Sequence, residues 1–121
     1  MRTAGSGISA THQPSQEDIR RIITVVKESV FQSKVIKWLK EQGCYVIKNS
    51  AVSGVPTGCP DIVFFKEGFY GFIEVKRTAK SPFQPLQKET LAKLSAWSWA
   101  KAVYPENWVS IQEELALILH D

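Results

Sequence analysis

Two carboxylates and a lysine stand near the ends of an apolar stretch in the middle of the sequence. The segment CPDIVFFKEGFYGFIEVK, residues 59–76, carries Asp61 close to its start and Glu74 and Lys76 close to its end. Carboxylate oxygens are the ligands that Mg²⁺ and Mn²⁺ prefer, and a bound metal can polarise a phosphoryl oxygen and lower the pKa of water. A nearby ammonium can position that water or stabilise developing charge. The residue types therefore indicate metal-dependent hydrolysis of a phosphodiester, if the fold brings them together.

A β-hairpin is the element that could bring them together. Two runs rich in Ile, Val and Phe predict antiparallel strands at residues 61–65 and 69–76. If the loop, with Glu67-Gly68 as its turn candidate, has an even number of residues, Asp61 pairs with Glu74, with Cβ atoms about 4.5–5.5 Å apart. Lys76 then shares their face, because side chains alternate along a strand. A three-residue loop with a bulge would instead pair Asp61 with Ile73 and put Glu74 on the opposite face.

A plain structural interpretation competes with a site. Asp61 could simply open its strand, and Glu74 with Lys76 could be a solvated surface pair. Two features favour the site. The apolar neighbours Ile62, Val63, Phe64, Phe65, Phe72, Ile73 and Val75 predict burial on both faces of the hairpin, where unneutralised carboxylates are costly. The segment 76–88 that follows contains no acid and is placed to hold phosphates; its cations are Lys76, Arg77, Lys80 and Lys88.

The elements around the hairpin predict a single domain. Residues 1–14 lack periodicity and are expected to be a flexible tail, with the domain at 15–121. Ser15 and Asp18 resemble a capping box, after which an apolar stripe runs to Gly43, as one helix to Gln42 or as two with a break near Lys27. The remaining predictions are a strand at 44–48, a loop at 49–58, a helix at 87–97, a strand at 98–104 and a closing helix whose capping box is Ser110 with Glu113. The order is helix, three strands, helix, strand, helix, in an α/β or α+β sheet with helices packed on it.

Composition narrows the function classes. The chain has 121 residues, 44% hydrophobic, which suits one domain, and its net charge of +3 is too modest to identify a nucleic-acid partner. Cys44 and Cys59 are expected to be small core residues in a reduced compartment. No apolar leader or membrane-length segment is present, so we expect a soluble, cytoplasmic protein. His12 and His120 lie near the ends, so any catalysis is expected to run on carboxylates and lysine.

The motifs together carry a family resemblance. Gly58-Cys59-Pro60-Asp61, a hydrophobic hairpin, Ile73-Glu74-Val75-Lys76, and Ser81-Pro82 with a downstream Gln resemble the PD-(D/E)xK nucleases. More narrowly they are similar to the virus-type replication-repair nuclease family, VRR-NUC, over roughly Glu28 to Leu119. The resemblance implies a restriction-endonuclease-like core, a central mixed β-sheet flanked by helices. It also implies a Mg²⁺- or Mn²⁺-dependent DNA endonuclease whose small members, encoded by phages and bacteria, are homodimers that cut branched DNA such as four-way junctions.

The resemblance also assigns roles to residues. Asp61 and Glu74 would be metal ligands, the Val75 carbonyl would complete part of the shell, and Lys76 would act on the attacking water. Glu28 would complete the site or hold a second ion through water, although beside Lys27 it is ordinarily just a solvated charge. The family Gln falls on Gln87, with Gln84 as a competing assignment. Arg77, Lys80 and Lys88 are the expected nucleic-acid contacts.

Several alternatives stay open at this point. The chain could be a non-catalytic DNA-binding module on the same fold, or a nuclease that cuts linear DNA or RNA. The tryptophans 38, 97, 99 and 108 could stack on unpaired bases, although core or interface packing is favoured, with Trp97 and Trp99 as candidates for a dimer surface. The lysines 34, 37 and 40 form either an exposed helical face or a second phosphate track.

Overall fold

The computed structural model describes residues 13–49, 58–84 and 86–120. Most of the predicted tail and of the loop at 49–58 lies outside the described residues. The elements are α1 Gln16–Glu41, β1 Tyr45–Lys48, β2 Ile62–Lys66, β3 Phe69–Val75, α2 Gln87–Ser95, β4 Trp99–Val103 and α3 Trp108–Leu119. This is the predicted order. Within the described residues, none of these helices has the length and apolar character needed to cross a membrane.

Helix α1 is one continuous helix of 26 residues, which decides the question left open at Lys27. Its predicted capping box is confirmed: the Asp18 N–H donates to Ser15 Oγ at 3.0 Å, and the Ser15 N–H donates to Asp18 Oδ2 at 3.1 Å. The second half of α1 packs on the sheet, whereas the apolar side chains of its first half are exposed, among them Ile22 at 59% and Val26 at 54%. The helix therefore projects past the core, and Glu28 lies where the packed and exposed halves meet.

The four strands form a mixed sheet in the order β1-β2-β3-β4. The first two pairs are antiparallel, and β3 with β4 is parallel, as expected of the predicted mixed sheet. One face packs against α1 and α3; its fully buried side chains include Val35, Leu39, Phe64, Ile73 and Leu115. The two helices meet through Trp108, whose ring makes edge-on contacts with Phe31 and Trp38.

The opposite face of the sheet is covered only in part. Helix α2 lies against β3 and β4 on this face, beside Glu74. Away from α2, Ile47, Phe65 and Tyr70 remain 47%, 40% and 37% exposed. The prediction of burial on both faces is therefore wrong at Phe65, because a helix of nine residues cannot cover all four strands.

The predicted start of the closing helix is also wrong. Helix α3 begins at Trp108 after a 3₁₀ turn at Pro105–Asn107, so Ser110 lies inside the helix and caps nothing. The Asn107 side chain instead accepts the Tyr104 N–H at 2.9 Å and donates to the Ala102 carbonyl at 3.2 Å. The connection from β4 is fixed by this asparagine, and the helix continues directly from the 3₁₀ turn.

Core packing is the observed role of three tryptophans. Trp38 and Trp108 pack between α1 and α3, and Trp99 packs against Phe64 while its Nε1 donates to Glu114. Trp99 is therefore unsuited to the dimer surface predicted for it. Trp97 lies in the turn after α2 and is 63% exposed. The lysines 34, 37 and 40 are all exposed, which is compatible with both interpretations of this helical face.

Candidate active site

The hairpin adopts the even-loop register. Ile62 pairs with Ile73 and Lys66 with Phe69, leaving Glu67-Gly68 as a two-residue loop. Both loop residues have positive φ, +36° and +84°, as in the type I′ turns that match the twist of a hairpin. The bulged alternative is therefore wrong, and Asp61, one residue before β2, lies opposite Glu74.

A hydrogen bond fixes Asp61 at the end of β3. The backbone N–H of Val75 donates to Asp61 Oδ2 at 2.8 Å. The Asp61 carbonyl in turn accepts the Asn49 N–H at 2.7 Å, which extends the pairing of β1 with β2. The residue is thus held on both sides by neighbouring strands.

Glu74 and Lys76 are the two buried charged residues among those described, with exposures of 5% and 7%. With Asp61 they line a cleft of about 420 Å³. The pKa of Glu74 is raised to about 8, first by burial and second by the neighbouring charge of Asp61, while Lys76 opposes the shift. Burial also raises the pKa of Asp61, against the Val75 N–H, which lowers it. One ammonium therefore leaves the carboxylate pair under-neutralised, and this oxygen donor set suits a hard divalent cation.

Gln87, the first residue of α2, joins the charged groups. Its Nε2 donates to Glu74 Oε2 at 2.8 Å, and its Oε1 accepts from Lys76 Nζ at 2.9 Å. The same Oε1 accepts the backbone N–H of Gln84 at 2.7 Å. Gln84 lines the cleft, but the side chain that contacts both charged residues is that of Gln87.

Lys76 is held by the segment that follows it. Besides Gln87, its Nζ donates to the Pro82 carbonyl at 3.0 Å and lies 4.5 Å from the centre of the Phe83 ring. An ammonium has three N–H donors, and the described residues accept two of them. The third is available for a water or a phosphate oxygen in the cleft.

Glu28 lines the cleft, one helical turn after Thr24, but it does not complete a tight cluster. The described residues contain no group of three His, Cys, Asp or Glu side chains close enough to share a metal ion. Glu28 also lines a smaller cavity of about 260 Å³ that Asp61 shares, with Gln32 and Lys48. Glu28 therefore lies near Asp61 and Glu74 without forming a three-carboxylate cluster with them.

The predicted nucleic-acid contacts divide into two groups. Arg77 and Lys80 line the cleft, whereas Lys88 is exposed on the first turn of α2 and is absent from the lining.

Two residues that line the cavities around Asp61 were not predicted from the sequence: Thr24 and Lys48. The signals for them were present, since Thr24 precedes Glu28 by four residues and Lys48 ends the strand that pairs with β2 next to Asp61.

A close packing contact explains why residue 58, in Gly58-Cys59-Pro60-Asp61, is a glycine. Gly58 has φ +84°, and a Cβ there would lie 2.9 Å from the Leu86 carbonyl oxygen and 3.0 Å from Thr90 Oγ1. The loop that precedes Asp61 therefore packs directly on the start of α2, whose first residue is Gln87. Only glycine allows this approach without strain.

Taken together, a mixed sheet whose central hairpin presents Asp61, Glu74 and Lys76 at one end defines a nuclease fold of the PD-(D/E)xK type. Comparison with protein families identifies the particular group: the sequence model of the archaeal Holliday junction resolvases (Hjc) matches residues 25–118. The chain belongs to this family. The match supports the broader expectation from the motifs, and the narrower resemblance to VRR-NUC stays a prediction.

A solved structure is also similar to the chain. It is the 1.6 Å structure of Hjc from Archaeoglobus fulgidus, a Holliday junction resolvase from an archaeal hyperthermophile, at 26% identity and a TM-score of 0.45. The likeness covers 62% of this chain and 66% of that chain, so the chain spans slightly less than two thirds of the solved resolvase. Curated protein sequences give no match.

Proposed function

We propose that the protein is a metal-dependent, structure-selective DNA endonuclease that cleaves four-way (Holliday) junctions. The observation that carries this proposal is the pair of half-buried Asp61 and buried Glu74 beside Lys76, in a chain of the Hjc family. Two adjacent carboxylates in a cleft are costly unless a cation neutralises them. In a metal-dependent nuclease, a divalent cation would neutralise the two carboxylates, which accounts for this arrangement.

Mg²⁺ or Mn²⁺ would be held by Asp61, Glu74 and the Val75 carbonyl, with Glu28 acting through water. The bound ion supplies Lewis-acid stabilisation of the phosphoryl group and a more acidic water. Lys76 directs its remaining N–H toward the attacking water or the developing negative charge, and Gln87 keeps both Lys76 and Glu74 in place. Arg77 and Lys80 bind phosphates that flank the bond to be cut.

Cleavage assays separate this proposal from its alternatives. End-labelled four-way junction, matched linear duplex and single-stranded DNA and RNA are incubated with Mg²⁺, Mn²⁺ or EDTA. Metal-dependent cutting confined to the junction is expected, with loss of activity but retained binding in Asp61→Ala and Lys76→Ala. Glu67→Ala, which removes an exposed carboxylate in the hairpin turn, is the control for Glu74→Ala and retains activity. Cutting of linear DNA or RNA would remove the selectivity, and binding without any cutting would make the chain a DNA-binding module.

We further propose that the protein acts as a homodimer, in which a second copy covers the open face of the sheet. Tyr45, Ile47, Phe65 and Tyr70 leave an exposed apolar area there, 37–71% exposed. Strand alternation puts Phe65 on the same face as Asp61, so the area is continuous with the face that carries the site. A second copy has the same apolar area to bury, and a four-way junction offers two equivalent strands to two sites.

The dimer is tested by mass in solution. Phe65→Glu places a charge in the proposed interface, and Val109→Glu places the same charge on α3 at a side chain that is 67% exposed. Light scattering is expected to give a dimer for the wild type and Val109→Glu and a monomer for Phe65→Glu. Equal masses for the two variants would contradict this interface.

The cellular location stays a prediction: the sequence led us to expect a cytoplasmic protein, and its two cysteines, both free, a reducing compartment.

A further inference from the structure

A second cavity adjoins the active-site cleft. This groove, of about 630 Å³, lies between α1 and the segment after β3, and its volume falls in the range of small-molecule sites. Arg77 and Thr78 line both the groove and the cleft, so the two are continuous. A strand that passes through the cleft therefore reaches the groove without leaving the protein surface.

The groove has an apolar floor and a basic rim. The floor is formed by apolar side chains of α1, of the 3₁₀ turn and of the start of α3: Val26, Val30, Phe31, Pro105 and Trp108. Lys27, Lys34 and Arg77 supply cations, and the described residues that line the groove include no carboxylate. Val26 and Val30 are each 54% exposed, so the floor can be reached from solvent.

This combination is complementary to a nucleotide. Bases stack on or pack against flat apolar and aromatic side chains without regard to sequence, and phosphates bind to lysine and arginine. An apolar peptide would use the floor but would leave three cations unmatched. The charge and the continuity with the cleft therefore both select a nucleic-acid strand.

We propose that the groove binds an unpaired nucleotide of the DNA strand next to the phosphodiester that is cut. The base lies on Val26 and Val30 and against Trp108, and Lys34 and Arg77 hold the flanking phosphates. This inference rests on the proposed nuclease function and adds a subsite to it: the enzyme gains binding energy where bases are unstacked, as at a branch point. The groove would then contribute to recognition of junctions over continuous duplex.

The first test compares two lysines on one helix. Lys34→Glu reverses a charge at the groove, and Lys37→Glu makes the same change at an exposed position of α1 outside it. Binding of a four-way junction is measured by fluorescence anisotropy in EDTA, so that no cutting occurs. Lys34→Glu is expected to weaken binding about tenfold, and Lys37→Glu less than about threefold. Equal losses would mean that the cations act only as a diffuse positive field and would overturn the subsite.

The second test removes one base at a time. Abasic positions are scanned across the junction strands, with the wild type and with Val30→Trp, which fills the groove from an exposed position. At one or two adjacent positions, loss of the base is expected to weaken wild-type binding about tenfold and to leave Val30→Trp unaffected. Thermal melting checks that Val30→Trp remains folded. A wild type that is insensitive at every position, or a variant that keeps the same sensitivity, would contradict the proposal.

Failure of the inference can be told apart from failure of the proposed function. Cleavage of the unmodified junction in Mg²⁺ by the wild type tests the nuclease, whereas the two groove experiments measure binding in EDTA. If the protein cuts junctions but its binding is insensitive to abasic positions, the nuclease proposal stands and the nucleotide subsite is contradicted. If its binding is sensitive to abasic positions but it cuts nothing, the subsite stands and the nuclease proposal is contradicted.

Discussion

Gln87 joins Glu74 and Lys76, donating to the carboxylate at 2.8 Å and accepting from the ammonium at 2.9 Å. An amide is suited to this position because it offers a donor and an acceptor in one plane. The Gln84 N–H, donated to the same oxygen, fixes which end of the amide faces Lys76. Gln87 touches no reacting atom in this arrangement, and it acts by positioning the two groups that do.

Replacement of Gln87 is expected to lower the cleavage rate without weakening DNA binding. Gln87→Ala should reduce kcat by about 10–100-fold, the usual effect of removing a residue that orients a metal ligand. KM should stay within about threefold. Gln84→Ala is the matched control, since the contact of that residue with Gln87 uses its backbone N–H. Single-turnover kinetics on a four-way junction provide the measurement, and a rise in KM at constant kcat would contradict a positioning role.

The raised pKa of Glu74 predicts an unusual pH dependence of stability. Its pKa moves from the ordinary value of 4.5 to about 8 in the folded protein, so the folded state binds more protons than the unfolded state between these values. The stability contributed by this group is complete below the unfolded pKa and is lost as the pH rises through about 8. In EDTA the melting temperature should therefore fall with rising pH over this window, and Glu74→Gln should reduce that fall. If the melting temperatures of the wild type and Glu74→Gln fall equally with pH across this window, Glu74 does not cause the fall.

Alanine substitutions at Gly58 and Gly68 distinguish the effect of backbone strain from the effect of steric contact. Both have φ +84°, but a Cβ at Gly68 meets nothing within 4 Å among the described residues, whereas one at Gly58 meets the Leu86 carbonyl at 2.9 Å. Gly58→Ala should lower the free energy of unfolding by about 1–3 kcal/mol more than Gly68→Ala, and it should also slow cleavage by displacing the start of α2 from Asp61. Denaturant unfolding and junction cleavage give the two readings. Equal destabilisation by the two changes would show that α2 shifts without cost.

A close contact inside the core makes a further prediction. A Cβ at Gly71 would lie 2.5 Å from the ring of Phe64, its partner across β2 and β3. Gly71→Ala should therefore overpack the core and destabilise the protein by about 1–3 kcal/mol. Phe64→Leu in the same chain makes room, so the double variant should be more stable than the sum of the two single changes predicts. Strict additivity in urea unfolding would contradict the contact.

Local sequence rules predicted the hairpin and narrowed its register to two alternatives, but they failed for the start of the closing helix. A two-residue loop fixes the register of a hairpin, and strand alternation then puts Asp61, Glu74 and Lys76 on one face. The Ser15 capping box was equally readable, because its hydrogen bonds join residues three apart. Ser110 and Glu113 show the same pattern, yet Asn107 bonds to Tyr104 and Ala102 and allows the helix to begin earlier.

The sequence by itself thus determined the charged triplet and the order of the elements, since both follow from residue types and from the fixed periods of strands and helices, whereas the structure chose between the two hairpin registers that the sequence left open. Only the tertiary structure decided that Gln87 rather than Gln84 joins the charges, that Glu28 stands back from the carboxylate pair, and that a basic groove adjoins the cleft. These features depend on where α1 and α2 pack against the sheet. That packing is set by the summed burial of many distant side chains and by loop paths, for which no short spacing in the sequence is a sufficient signal.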